Sequence, residues 1–369
     1  MNLTPVVVAA RRTAIGTAGK AFRDFTVVDL LAPVLSAVAD ELHMSQVDDV
    51  VIGVARGPGG NIARVAALQA QLGVDAPGMT VDRQCGSGLA AIQVAAALIA
   101  SGAATVVLAG GAESCTHASP GRAAFAPSDI GDPDMGPAAE MVAEDFAISR
   151  ERQDALAMRS HENALRATQI VAPEIVAVGN QLIDQRPRKL VANVLARMPA
   201  AFTENGTVTA GNSCGVSDGA AVVAIVPEWL RAERGLSGLR ILGWTAVGVD
   251  PRTPGIGPVP AIKQLLDRCG IVLDQVGAIE IVEAFAAQVL AVTDALGLDP
   301  LGRDAHRIAP LGGAIALGHP WGASGAMVVV RLFTELLRGG ITPSPRYGLA
   351  ACAVGGGQGL ALLVERVDA

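Results

Sequence analysis

Three residues stand where this sequence can do chemistry. Cys85 lies in "DRQCGSGLAAIQVAAALIASG", between a polar turn and an apolar run of helical length, at or near a helix N-terminus. Unpaired N–H groups and the helix dipole there lower a thiol pKa and can hold an oxyanion, and Gly86, Ser87 and Gly88 leave room for a substrate. Taken alone, a cysteine in that place packs as a small apolar residue as readily. His319, in "GGAIALGHPWGASGA", precedes Pro320 and a run of small residues, where an imidazole can take a thiol proton, donate to a growing negative charge, or simply satisfy a turn. Cys352, in "ACAVGGGQG", closes an apolar strand, with its side chain expected in the same crevice or, equally, in the core. The glycines from Gly355 to Gly357 offer backbone N–H groups to a ligand, or serve a tight turn. Cys115, Cys214 and Cys269 have no comparable setting and read as structural.

A weak internal duplication explains why these residues should meet. "VDDVVIGVARG" from Val47 matches "VGAIEIVEAFA" from Val276, each a buried strand running into a loop, at an offset of roughly 230 residues. At nearly that offset the segment from Cys85 faces "GHPWGASGAMVVVRLF", and "ATVVLAGGAES" matches "YGLAACAVGGGQGLALLVE". Three pairs in one order imply two copies of a βα-rich unit. Equivalent helix starts of two packed copies converge on one crevice, which brings Cys85 towards His319.

The stretch 113–212 has no counterpart. "SPGRAAFAPSDIGDPDMGP" reads as loop, and "ISRERQDALAMRSHENALRAT" carries apolar residues at helical spacing. It reads as a lid inserted into the first half. The expected organisation is a first half from 1–112 and 213–229, a lid at 113–212, and a second half at 230–369.

Composition narrows the partners. With 369 residues the chain can bury a large core, and its 51% hydrophobic but 3% aromatic content disfavours base stacking. A net charge of -7 with no long basic run argues against nucleic acid or a membrane surface. Five scattered cysteines fit a reducing cytoplasm better than a disulfide framework, and no spacing suggests a metal site. The apolar stretch from Leu89 to Gly110 is broken by Gln93 and the Ser101-Gly102 turn, so it reads as helix, turn and strand rather than a membrane span.

Together "DRQCGSGLAAIQ", "VVLAGGAESC", "ISRERQDALAMRSH", "GTVTAGN", "GVDPRTPGIGPVPAI", "EAFAAQVLA", "GGAIALGHPWGASGA" and "GGGQG" make the chain resemble the thiolase family over nearly its whole length. That resemblance implies an α/β, five-layered αβαβα fold of two similar halves with a lid in the first, assembled at least as a dimer. It implies a two-step Claisen exchange on coenzyme A thioesters, forming or cleaving 3-oxoacyl-CoA in fatty acid or lipid metabolism. Cys85 would carry the acyl group, His319 activate it, and Cys352 move the α-carbon proton. The N–H groups of Cys85 and Gly355 would form an oxyanion hole. Coenzyme A is itself the carrier, so no metal or prosthetic group is expected.

The chain also departs from the family pattern. Val282 stands in "VEAF" where the family has an asparagine that holds an enolate-stabilising water, and losing one such donor typically costs roughly 10²–10³ in rate. Ala309 and Leu311 replace asparagines upstream of the GHP segment, and Asp134 replaces a histidine before Met135. Cys352 lies one residue early, with Ala353 in the expected place, so only a bulge would carry it into the pocket. Cys214 replaces a serine that contacts pantetheine, and Met135 is a candidate wall of that tunnel. The lid is shortened where tetrameric relatives make contacts, which favours a dimer. Two further readings follow: a diverged enzyme that loads Cys85 but passes the acyl group to water or a heteroatom, and a non-catalytic coenzyme A-binding homologue.

Overall fold

Runs of Val, Ala, Leu and Ile set between turn residues form the principal strands of the computed structural model, which describes residues 1–43, 46–119, 121–341 and 343–369. In the first half these are β1 (Pro5–Thr13), β2 (Asp49–Gly53), β3 (Val107–Ser114) and β4 (Ser217–Pro227). The second half supplies β5 (Gly238–Gly248), β6 (Val276–Ile281), β7 (Tyr347–Val354) and β8 (Gln358–Val367). The order is β2-β3-β4-β1 in one half and β6-β7-β8-β5 in the other. In both, the first pair is parallel and the next two are antiparallel. The duplication read from three sequence pairs is thus repeated in strand order and direction. A short antiparallel pairing of Val6 with Arg240 and Val7 with Leu239 joins the halves into one sheet.

Helices close the faces in five layers. α1 (Val27–Leu42) and α2 (Ile62–Gln69) cover the outer face of the first half-sheet, packing Leu31, Leu35 and Ala66 on Val50, Ile52 and Val222. Between the half-sheets lie α3 (Ser87–Ala100) and α8 (Trp321–Leu337), and α6 (Pro258–Cys269) covers the far face. A helix in the middle layer has no face left for water. Accordingly every residue of α8 from Gly322 to Leu336 is buried. The expected helix, turn and strand after Cys85 are present as α3 and β3, and no helix among the described residues is long and apolar enough to cross a membrane.

α3 and α8 touch almost backbone to backbone. A Cβ on Gly88 would lie 2.7 Å from the Gly322 carbonyl oxygen, and one on Gly325 would lie 2.6 Å from the Leu89 nitrogen. Small residues at this crossing set the separation of the two helix heads.

The lid contains α4 (Met135–Asp145) and α5 (Arg150–Arg166), which pack on α7 (Ala286–Ala295) of the second half through Val142, Leu156 and Leu290. Its borders are less sharp than the sequence suggested. Glu113 and Ser114 still belong to β3, and the lid strand Ile175–Val176 pairs in parallel with Arg12 and Thr13 of β1.

Candidate active site

The head of α3 is built to present Cys85. A single 3₁₀ turn, Gln84–Gly86, precedes the helix, and Gln84 takes φ 46°, a left-handed conformation that costs a side-chain-bearing residue about 1–2 kcal/mol. Ser87 holds that turn: its hydroxyl accepts the Arg83 N–H at 2.8 Å and donates to the Gln84 carbonyl at 2.7 Å. The Cys85 sulfur then faces a pocket of about 320 Å³ whose walls include His319, Gly355, Met135, Cys214, Phe285 and Gln288. Pocket lining is overwhelmingly apolar, as an acyl chain requires.

The N–H groups of Cys85 itself and of Gly355, the pair that the family resemblance implies for an oxyanion hole, lie by the Cys85 thiol. They favour a thiolate. Burial and the charge of Glu113 act more strongly in the other direction and push the thiol up to about 12. Glu113 is wholly buried and accepts N–H groups from Ala55 at 3.0 Å, Arg56 at 3.1 Å and Gly322 at 2.9 Å, tying the β2 loop to the head of α8.

His319 sits immediately before α8, the place equivalent to Cys85 before α3. Its main-chain N–H donates to the Gly215 carbonyl at 2.9 Å, and its Nδ1 lies 2.6 Å from the Ser324 hydroxyl. Nε2 is buried with no hydrogen-bond partner among the described residues. Burial brings the imidazole down to about 4, so the resting pair is a neutral thiol and a neutral imidazole.

Cys352 is not in this pocket. β7 and β8 pair without interruption from Tyr347 opposite Glu365 to Val354 opposite Gln358, so the bulge that would have shifted Cys352 is absent. Its thiol is fully buried in the central apolar cluster and donates to the carbonyls of Cys85 at 3.4 Å and Ala353 at 3.2 Å. Ala353 takes the position on the wall. Side chains alternate along a strand, so one residue of offset exchanges core for pocket.

Val282 is buried at the end of β6, its N–H on the Ala351 carbonyl at 3.0 Å. It lines a separate cavity of about 20 Å³, with Ser324, Glu280 and Arg331, rather than the main pocket. Met135 and Cys214, by contrast, both reach the main pocket.

Sequence reasoning passed over Gln288, Ser324 and Glu113. Gln288 is 2% exposed, lines the pocket, and leaves both amide atoms without partners among the described residues. Its one signal was a polar residue in the apolar run "AFAAQVLAV". Among the described residues no group of His, Cys, Asp or Glu is arranged to hold a metal ion.

Two duplicated α/β halves bring a cysteine and a histidine from matching helix heads into one apolar pocket. The chain belongs to the thiolase family, a family of acyltransferases. Residues 5–229 match the thiolase N-terminal domain and residues 237–366 the thiolase C-terminal domain. It is 43% identical to the putative acetyl-CoA C-acetyltransferase YhfS of Bacillus subtilis, over 98% of this chain and 99% of that protein. It is 39% identical to an acetyl-CoA acetyltransferase of Pseudomonas aeruginosa, over 98% of this chain and 99% of that protein. The crystal structure of the Bacillus anthracis acetyl-CoA acetyltransferase superposes with a TM-score of 0.91 at 36% identity, covering 100% of this chain and 99% of that one.

Proposed function

We propose that the protein is an acyl-CoA acyltransferase that forms an acyl-enzyme on Cys85 and makes or cleaves the carbon–carbon bond of a 3-oxoacyl-CoA. The observation that carries this reading is that Cys85, Gly355 and His319, whose buried Nε2 has no hydrogen-bond partner among the described residues, line one pocket. Nε2 takes the thiol proton as sulfur attacks the thioester carbonyl, the two N–H groups hold the oxyanion, and the proton leaves with coenzyme A. An attack that starts from neutral partners creates charge only where donors await it. Met135 and Cys214 line the route for the pantetheine arm. Coenzyme A serves as substrate and carrier, no further cofactor takes part, and the enzyme works as a cytoplasmic homodimer.

Incubation with acetyl-CoA should add one acetyl mass to Cys85, and with a 3-oxoacyl-CoA plus coenzyme A should give turnover that Cys85→Ser abolishes. Absence of the adduct overturns the reading and leaves a coenzyme A-binding homologue. An adduct that only water or a heteroatom discharges identifies the diverged enzyme, which the apolar Val282 and the buried Cys352 favour.

A further inference from the structure

Joining two thioesters at carbon requires a base within reach of the α-carbon of the second one, and the acyl-bearing Cys85 is not free to serve. Neither residue expected on the carbon side supplies it. Cys352 is turned into the core and Val282 is apolar.

Cys214 lines the same pocket as Cys85 and His319 and is fixed there by its backbone. Its N–H donates to the Ala284 carbonyl at 3.0 Å, and Ser213 bridges to Phe285, which pins it to the loop after Val282. On its other side the Gly215 carbonyl accepts the His319 N–H at 2.9 Å, and Val216 bridges to His319. Cys214 therefore stands between the "VEAF" loop and the "GHP" loop, on the wall of the pocket that Cys85 and His319 also line. Burial, and then the neighbouring Cys85, push the Cys214 thiol up to about 12, while the Arg186 guanidinium, over Gly215, acts the other way and favours the Cys214 thiolate.

Resting on the acyltransferase reading above, we propose that Cys214 is the catalytic base that carries the α-carbon proton in the second half-reaction. The step balances within the site. The Cys214 thiol gives its proton to Nε2 of His319, and the resulting thiolate removes a proton from the α-carbon of the acceptor thioester. The carbanion attacks the acyl carbonyl on Cys85, a carbon–carbon bond forms, and the carbon–sulfur bond to Cys85 breaks with its electron pair on sulfur. His319 returns its proton to that sulfur, leaving two thiols and a neutral imidazole.

The test is exchange of the acetyl-CoA methyl hydrogens in D2O, read by mass spectrometry alongside the Cys85 adduct, for wild type, Cys214→Ser, Cys214→Ala and Cys214→Ala with Ala353→Cys. The ratio of exchange to loading should fall about 100-fold or more in both single variants, because a serine hydroxyl keeps a pantetheine contact but not a thiolate. A cysteine at 353, on the same wall, should restore a large part of it. If Cys214→Ser keeps exchange within about threefold while Cys214→Ala only raises KM, the residue is a pantetheine contact and the proposal fails. Wild-type protein that forms the adduct without exchanging also overturns it, whereas absence of the adduct is failure of the acyltransferase reading itself.

Discussion

The Ser324 hydroxyl lies 2.6 Å from Nδ1 of His319 and 3.0 Å from the Pro320 carbonyl, to which it donates. A hydroxyl has one hydrogen. With that hydrogen on Pro320, Ser324 accepts from His319, the arrangement in which Nδ1 carries the imidazole proton and Nε2 keeps its lone pair. Ser324 is thus a positioning residue that sets the tautomer a general base needs. Ser324→Ala should slow acyl loading of Cys85 roughly 10-fold to 100-fold, with little change in KM for acetyl-CoA, since the hydroxyl does not line the main pocket. Rapid-quench measurement of the adduct checks this. Retained loading rate would show that packing alone orients the ring.

The neutral resting pair has its own signature in pH. The Cys85 thiol is pushed up to about 12 by burial and Glu113, and the His319 imidazole brought down to about 4 by burial. Only the thiolate reacts with iodoacetamide, so log rate should rise about one unit per pH unit from roughly pH 6 to roughly pH 10, without a plateau. A thiolate–imidazolium pair would instead react at a constant rate across that range. Alkylation followed by mass spectrometry of the Cys85 peptide separates the two.

How much of this centre was legible in the sequence depends on whether a residue's place follows from a repeat or from its neighbours in space. Cys85 and His319 were legible because both open an apolar helix at matching points of a duplication, and the fold had only to put the copies face to face. Cys352 was not: a strand changes face at every residue, so its one-residue offset decided between pocket and core, and only the uninterrupted β7–β8 register shows which. Glu113 ends an apolar strand and looks in sequence like a residue at a solvated border. In the fold it collects N–H groups from the loop after β2 and from the head of α8, far apart in the chain. The pairing of Ile175 and Val176 with β1 was equally hidden, because two residues carry no period.

Gly88 should be intolerant of any side chain. Its Cβ would meet the Gly322 carbonyl oxygen at 2.7 Å and the Ala326 nitrogen at 2.9 Å, main-chain atoms that cannot swing aside, so α3 and α8 must separate. Gly88→Ala is expected to cost about 1–3 kcal/mol, read from the denaturant midpoint. It should also lower acyl loading in the fraction that remains folded, because those two helices carry Cys85 and lead from His319. Unchanged stability and loading would mean that the helix crossing gives way freely.

Glu280 and Glu335 are both buried and lie close to one another near Arg331, with Glu174 also near. Burial, and for Glu335 also the neighbouring Glu280, raise both carboxyls above the ordinary 4.5, so the native state keeps a proton that the unfolded chain releases. When the native state binds more protons, stability falls as pH rises. The loss should begin above about pH 4.5, the unfolded value, and continue towards neutrality as the native pair is forced to ionise. Glu335→Gln is nearly isosteric and removes one titrating group, so it should flatten this decline and make the protein relatively more stable near neutral pH, by roughly 1–3 kcal/mol. Chemical denaturation of both proteins at several pH values between about 4.5 and 8 measures the difference. Parallel stability profiles would show that Arg331 fully compensates a pair already ionised in the native state.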